Sequence, residues 1–252
     1  MMGFGFWMNR AIAGGVVAAG LGLGAGARAE VPIVPAQDGV GTRVDFQGDR
    51  AVITGGQVSS DGSNNFHSFS EFGVGTGQAA EFLGTPGLEN ILGRVVGGQR
   101  SLVDGTIRVT GTDANLFLLN PAGWVFGNGA QLDVPGAFTA TTATAVEFGG
   151  GNLWGIGSEA ASALTGNGSI TGFYFDASVS GNIANFGTLA VAPGQGLNLL
   201  GMAVLNGGQL IAPGGTVLVE AVPESGFVRL AAPGQLLGLE FVPQAGQRWP
   251  SP

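Results

Sequence analysis

Short apolar runs separated by glycine, asparagine and proline follow one another along most of this sequence. The clearest pair is Leu116–Leu119 and Trp124–Phe126, both rich in the large apolar residues that suit a pleated strand. Between them, Asn120, Pro121 and Gly123 predict a tight turn, because proline fixes φ at the second turn position and glycine permits a positive φ. The pattern therefore predicts two short strands joined by a corner.

A repeat of 20 residues is visible in the last third of the chain. The tripeptide Ala-Pro-Gly occurs at residues 192–194, 212–214 and 232–234, and each copy is flanked by short apolar runs. A repeat of this length with Gly and Asn corners is typical of one turn of a β-helix, in which each coil buries its face against the next. Asparagine at such corners tolerates the left-handed conformation and can hydrogen-bond along a ladder of equivalent positions. We expect continuing coils over 151–240 and a proline-containing tail over 241–252.

Composition supports an all-β fold. The chain has 49 glycines in 252 residues, 44% apolar residues and only 10% charged residues. Such a chain is too apolar for disorder and too rich in glycine for long helices. Many tight corners between short strands are the favoured architecture.

The first 29 residues predict a signal peptide. An apolar stretch from residue 11 to 27 follows Arg10 and is too short and glycine-rich for a membrane span, and Ala27 and Ala29 provide the small residues of a cleavage site. Cleavage leaves seven arginines against 17 acidic residues, a net charge of −10. We therefore expect an exported protein that is not an integral membrane protein and does not bind nucleic acid, which requires cationic patches.

Candidate catalytic groups are sparse. His67 is the only histidine, so a pair of histidine ligands cannot exist, and no serine lies in Gly-x-Ser-x-Gly. Residues 61–65, Asp-Gly-Ser-Asn-Asn, resemble the start of a calcium loop, but a polar turn explains them better. Asp104, Asp113 and Asp133 could stack on one face of a β-helix, which keeps a carbohydrate-active enzyme as the alternative, although each lies beside Gly, Thr or Val-Pro, where a turn aspartate is the better explanation. We expect no cofactor, no metal and no catalysis.

At this point the sequence resembles a known family. Residues 114–138, ANLFLLNPAGWVFGNGAQLDVPGAF, are similar to the haemagglutination-activity or two-partner-secretion domain of the filamentous haemagglutinin family, whose signature is Asn-Pro-Asn-Gly-Ile/Val-x-Phe-Gly. Ala122 stands where the family usually has the second Asn, which leaves the turn intact. Four further segments resemble the cyanobacterial-type members in the same order: NNFHSFSEFGVGTGQAAEF (64–82), ENILGRVVGG (89–98), SLVDGTIRVTG (101–111) and GAFTATTATAV (136–146).

The resemblance implies a fold and a function. It implies a right-handed parallel β-helix with a small N-terminal β cap, and a two-partner-secretion domain over residues 30–150. It also implies a secreted, adhesin-like exoprotein that reaches the cell surface or medium through the periplasm. The partners implied are an outer-membrane β-barrel transporter with periplasmic recognition domains and, beyond it, a host or cell-surface target.

The resemblance also selects residues. The implied secretion motif is Asn115, Asn120, Pro121 and Gly123, with Asn65 and Asn90 as weaker candidates. Turn chemistry alone explains the same residue types, so recognition by the transporter and simple corner building both stay open. For residues 88–96, where apolar side chains also fall at helical spacing, the resemblance favours a strand.

Overall fold

A computed structural model describes residues 32–157 and 166–230, together with the backbone of 241–242. The predicted signal peptide with Ala27 and Ala29, the third Ala-Pro-Gly and the prolines of the tail lie outside the described residues. The described part consists of β-strands without a helix. The strands are β1 (Ile33–Pro35), β2 (Thr42–Gln47), β3 (Arg50–Gly55), β4 (Gln57–Val58), β5 (Asn64–Phe72), β6 (Ala79–Leu83), β7 (Asn90–Val95), β8 (Ser101–Val103), β9 (Thr106–Thr110), β10 (Asn115–Leu119), β11 (Trp124–Phe126), β12 (Gln131–Asp133), β13 (Phe138–Thr141), β14 (Ala145–Phe148), β15 (Leu153–Gly155), β16 (Ile170–Phe175), β17 (Ile183–Asn185), β18 (Thr188–Ala190), β19 (Leu197–Gly201), β20 (Val204–Asn206), β21 (Gln209–Ile211), β22 (Val217–Ala221), β23 (Gly226–Arg229) and β24 (Phe241–Val242).

Successive strands wind into a parallel β-solenoid of about 6 turns. In the central coils, each coil contributes one strand to each of three sheets, and most strands pair in parallel with their equivalents in the next coil. Sheet 1 has the order β1-β5-β7-β10-β13-β19-β22, sheet 2 is β8-β11-β17-β20, and sheet 3 is β2-β3-β6-β9-β12, after which β18 and β21 pair with each other beside β12. The predicted all-β solenoid and the strand at residues 90–95 are both confirmed.

The solenoid interior is filled by side chains stacked in register. Ile91, Leu116, Phe138 and Leu197 lie opposite one another on successive strands of sheet 1 and are fully buried. Burying equivalent apolar side chains against the coils on either side is the nearest-neighbour stabilisation on which solenoids depend. The core therefore runs continuously along the axis.

An antiparallel cap closes the N-terminal end, as predicted. Strands β1 and β4 both pair with β5 in antiparallel fashion, and β2 and β3 form a hairpin. A cap of this kind occupies hydrogen-bonding groups that would otherwise be free to pair with other chains.

A separate antiparallel sheet covers the outer face of sheet 1. This side sheet has the order β15-β14-β16-β23-β24. Its Phe148, Trp154 and Phe173 form a second buried cluster with Phe66 and Leu92 of sheet 1. Every residue of β7 is consequently buried, on both faces of the strand. This explains why residues 90–95 show no alternation of polar and apolar side chains.

The side sheet changes where the coils continue. We expected coils from residue 151 onwards, but β15 and β16 leave the solenoid, which resumes at β17. The reason is that β16, Ile170–Phe175, carries an apolar face that packs on sheet 1 from outside. Beyond β17, Leu197 lies opposite Val217, so the 20-residue spacing of the repeat is the length of one coil.

Candidate functional site

The corner between β10 and β11 is held by the side chain of Asn120. Its Nδ2 donates to the Gln99 carbonyl and to Ser101 Oγ, both at 2.9 Å, and its Oδ1 accepts from the Ala122 amide at 3.0 Å. The Gly123 amide donates to the Asn120 carbonyl at 2.9 Å, which closes the predicted turn. Asn120 is fully buried. In the folded domain its amide group is therefore satisfied internally and is not available to a partner.

Gly123 and Pro121 fit this corner against the next coil. Gly123 has a φ of 110°, and a Cβ there would lie 2.6 Å from the Asn182 carbonyl oxygen. Glycine alone fits this position, because any other residue is strained at this φ and its Cβ would clash with that oxygen. Pro121 is buried, and its carbonyl accepts from the Gly181 amide. The Asn-Pro-x-Gly turn is thus a joint between consecutive coils.

A ladder of asparagine side chains links three strands of sheet 1. Asn90 Nδ2 donates to Asn64 Oδ1 at 2.7 Å, and Asn115 Nδ2 donates to Asn90 Oδ1 at 3.0 Å. Asn64 Nδ2 ends the ladder on the carbonyls of Gly166 and Gly168, and Asn115 Oδ1 accepts from the Ala137 amide. Two of the sequence candidates, Asn90 and Asn115, therefore lie together, whereas Asn120 lies at the opposite end of β10.

The third member of the ladder is Asn64, which sequence reasoning missed in favour of Asn65. Strand register decides this, since Asn64 lies opposite Asn90 and Asn65 lies opposite Ile91. Aligning the two Asn-containing segments by strand position would have selected Asn64. No non-glycine residue of the described ranges has a positive φ, so these asparagines serve as hydrogen-bonding groups and not as left-handed corners.

Asn65 belongs to a different buried pair. Its Nδ2 lies 3.2 Å from the Gly55 carbonyl and 3.3 Å from His67 Nε2. His67 is enclosed by Phe69 and Phe82, and burial lowers the pKa of its imidazole to about 4. The histidine is therefore a neutral packing residue beneath the N-terminal cap.

His67 should make the stability of the domain depend on pH. The histidine of the unfolded chain binds a proton near pH 6.5, whereas that of the folded chain binds one only near pH 4. Protonation therefore favours the unfolded chain, so the full stability is present above pH 6.5 and the free energy of unfolding decreases as the pH falls towards 4. Between pH 7 and pH 5 the free energy of unfolding should fall by about 2 kcal/mol. Urea denaturation at both pH values measures this, and His67→Gln should remove the difference. An equal decrease in the variant would contradict the assignment.

Three acidic candidates, Asp61, Asp104 and Asp133, each have hydrogen-bonding partners of their own. Asp61 Oδ1 accepts from Ser59 Oγ at 2.6 Å and from the Ser63 amide at 3.0 Å. Although desolvation opposes it, hydrogen bonds from Ser59 and Ser63 lower the Asp61 pKa to about 2, as in a polar turn. Asp104 accepts from Thr76 Oγ1 and the Gly129 amide, and Asp133 pairs with Arg108 at 2.7 Å. Over the described ranges, no three His, Asp or Glu side chains converge as metal ligands.

Arg94 joins the cap, sheet 1 and the side sheet. Its Nη2 pairs with Asp38 Oδ2 at 2.9 Å, its Nε donates to Ser68 Oγ at 3.0 Å, and its Nη1 donates to the Gly155 carbonyl. The guanidinium carbon lies 4.8 Å from the centroid of the Trp154 ring. Only 1% of the Arg94 side chain is exposed, so this cation is almost completely removed from water.

The capped solenoid, the Asn-Pro-x-Gly corner and the asparagine ladder define a class of protein, a β-helix domain in which polar side chains link consecutive coils. A sequence profile of the TPS secretion domain matches residues 33–249. The chain therefore belongs to the TPS secretion domain family, a class of transport-directing domains of two-partner secretion. The match continues well past residue 150, where we expected the domain to end. No curated protein matches the chain in sequence.

A solved structure shares the fold. The crystal structure of the HMW1 secretion domain from Haemophilus influenzae matches with a TM-score of 0.52 and 19% sequence identity, over 83% of this chain and 47% of that chain. The chain thus spans about half the length of that protein, and at this identity the likeness concerns the fold. Within the described residues, no helix could span a membrane.

Proposed function

We propose that this domain directs its own export through a dedicated outer-membrane β-barrel transporter whose periplasmic domains recognise it, and that the exported protein is adhesin-like. The observation that carries the proposal is the match to the TPS secretion domain over residues 33–249. Transport by a two-partner system implies a protein that is secreted. The expectations of a surface location and of a cell-surface target rest on the family resemblance.

The architecture suits folding during export. The N-terminal cap supplies a closed first coil, and each later strand of sheet 1 pairs with the strand of the preceding coil. A chain that emerges N-terminus first can therefore add coils to a formed template, each stabilised by its neighbour. The ladder from Asn64 to Asn115 supports this proposal, because it extends side-chain hydrogen bonds from the first coils to the next. The cap would then nucleate the β-helix.

Transporter dependence is the direct test of the proposal. The full chain is co-expressed with the outer-membrane transporter encoded nearest to it, and the amount of chain in the medium and on the cell surface is compared with cells that lack the transporter. We expect export only when the transporter is present. Equal export in both strains, or retention of folded chain in the periplasm, would overturn the proposal.

The export of an Asn120→Ala variant tests whether the transporter recognises the secretion motif. Because the side chain of Asn120 is buried in the folded domain, recognition requires a chain that has not yet folded around this corner. Loss of the two or so hydrogen bonds that a partner could make with this amide is worth about 1.4 kcal/mol, so Asn120→Ala should lower export by about tenfold. Export is measured as the ratio of secreted to cell-associated chain.

Asn185 provides a matched control for this variant. It is also fully buried, its Oδ1 accepts from the Gly187 amide at 3.1 Å, and its Nδ2 donates to Asn206 Oδ1 at 2.8 Å. Asn185→Ala should therefore cost a similar amount of stability while export changes by no more than about twofold. If both variants lose export equally, Asn120 only builds its corner and the recognition role is wrong.

A further inference from the structure

The N-terminal cap is held by residues that come much later in the chain. Its last loop, residues 59–63 between β4 and β5, lies against the segment 166–168, which precedes β16 in the side sheet. Asp61 Oδ2 accepts from the Gly168 amide at 2.7 Å, and the Asp61 amide donates to Asn167 Oδ1 at 3.3 Å. These partners are 107 and 106 residues apart in sequence. The cap therefore makes contacts that it cannot form from its own residues.

Asn64, the first residue of β5, extends this contact into sheet 1. Its side chain is fully buried, and Nδ2 donates to the carbonyls of Gly166 at 2.7 Å and Gly168 at 2.9 Å. The Gly166 backbone lies directly on the Phe66 ring, where a Cβ would be 2.5 Å from Cζ. Phe66 is also fully buried, so its ring has little room to move aside. The close approach of this segment to sheet 1 therefore requires glycine.

Arg94 connects the cap to the side sheet through separate residues. It binds Asp38 of the cap through Nη2 and the Gly155 carbonyl of β15 through Nη1. Val40, two residues after Asp38, is 2% exposed and belongs to the same buried cluster as Trp154 of the side sheet. The cap and the side sheet thus share polar contacts at two places and an apolar cluster.

The face that the side sheet covers suits both an open and a closed arrangement. Asn64, Ser68 and Arg94 project from the outer face of sheet 1, where water hydrates an amide, a hydroxyl and a guanidinium well while that face is open. When the face is covered, carbonyl groups of the side sheet replace the water on Asn64 and Arg94. Phe66 and Leu92 on the same face are apolar and favour the closed arrangement. Closing it needs the strands β14 to β16.

We propose that the side sheet is a clasp that locks the N-terminal cap, and that the cap opens and closes reversibly until this clasp is in place. The order of these events rests on the proposed function, in which the chain emerges with its N-terminus first. The cap then folds on the first coils, but β14 to β16 reach the exterior only after β13. Folding of the cap is therefore reversible early in export and becomes locked once the side sheet has formed.

Hydrogen exchange of the purified, folded full chain tests the clasp without the transporter. Gly166→Ala places a Cβ against the Phe66 ring and should lift the segment 166–168 from the cap. Gly149→Ala is the matched control, since Gly149 lies in the turn between β14 and β15 and a Cβ there meets no atom within 4 Å. Both changes add one methyl group to the side sheet, and only the first disturbs its contact with the cap.

Four backbone amides report the result. Those of Ala36 and Gly56 are hydrogen-bonded in the cap, and those of Val191 and Leu197 are hydrogen-bonded in the later coils. We expect Gly166→Ala to raise the exchange rates of the two cap amides about tenfold and those of the two coil amides less than about twofold, because the cap opens locally. The control should change all four rates by less than about twofold.

Trp154→Leu provides a second variant, because it removes the ring that lies 4.8 Å from the Arg94 guanidinium carbon. It should also accelerate the cap amides selectively, and circular dichroism checks that each variant is folded. If the cap amides of both variants exchange within about twofold of the wild-type rates, or if cap and coil amides accelerate equally, the clasp inference is wrong.

These outcomes are separate from the test of the proposed function. A cap that exchanges independently of the side sheet overturns the clasp and leaves transporter-dependent export untouched. Export that does not need the transporter overturns the proposed function and, with it, the order of emergence, whereas selective exchange in the cap would still support the lock itself.

Discussion

Arg94→Met should lower the free energy of unfolding by about 3 to 5 kcal/mol, since removing one partner of a buried ion pair leaves the other groups without compensation. The change deprives Asp38, Ser68 Oγ and the Gly155 carbonyl of their donor at once. Methionine fills most of the volume, so the loss measures hydrogen bonds and charge more than a cavity. Urea denaturation at pH 7 gives the value.

Arg50→Met is the control for this prediction. Arg50 pairs with Glu81 at 3.0 Å, nearly the distance of the Arg94 pair, but 43% of its side chain is exposed. An ion pair in contact with water contributes about 1 kcal/mol or less. If the two methionine variants lose similar stability, burial of Arg94 does not contribute as described.

Asn90→Leu should lower the free energy of unfolding by about 2 to 4 kcal/mol, because it leaves Asn64 Oδ1 and Asn115 Nδ2 without their partners, at about 1 to 3 kcal/mol for each buried group. Leucine has the branched outline of asparagine but a larger volume, an increase that the comparison variant Asn198→Leu shares. The same denaturation experiment measures the loss, and amide hydrogen exchange should show faster opening in β5 and β10.

Asn198→Leu is the comparison for the ladder. Asn198 also lies in sheet 1, but within the described residues its side chain makes a single hydrogen bond, from Nδ2 to Thr139 Oγ1 at 3.0 Å. We expect a loss of about 1 kcal/mol there. The ladder would have no special role if Asn90→Leu were no more destabilising than Asn198→Leu.

Local pattern was sufficient to predict the elements that repeat along the axis. The corner at residues 120–123 follows from proline and glycine at fixed turn positions, and the 20-residue spacing of the Ala-Pro-Gly copies matches the register of Leu197 with Val217. In both cases the information lies within a few residues or in a regular period, which a sequence displays directly.

Features that depend on distant pairings were not predictable in this way. Strand β16 pairs with β23, more than fifty residues later, and no period links them. Arg94 stands in an apolar run whose second buried face exists only because the side sheet covers it. The choice between Asn64 and Asn65 depends on a shift of one residue in register, which reverses the face of every side chain.

The side sheet makes one part of the domain depend on the completion of another. Between β16 and its partner β23, the chain forms the two coils that contain β17 to β22. A chain that emerges from its N-terminus must therefore leave β16 without its second neighbour until those coils have passed. Pairing of β23 completes the outer layer only when the intervening coils have the length that brings β23 beside β16. A deletion of one 20-residue repeat would keep every local interaction of the remaining coils and yet place β23 one coil short of its partner.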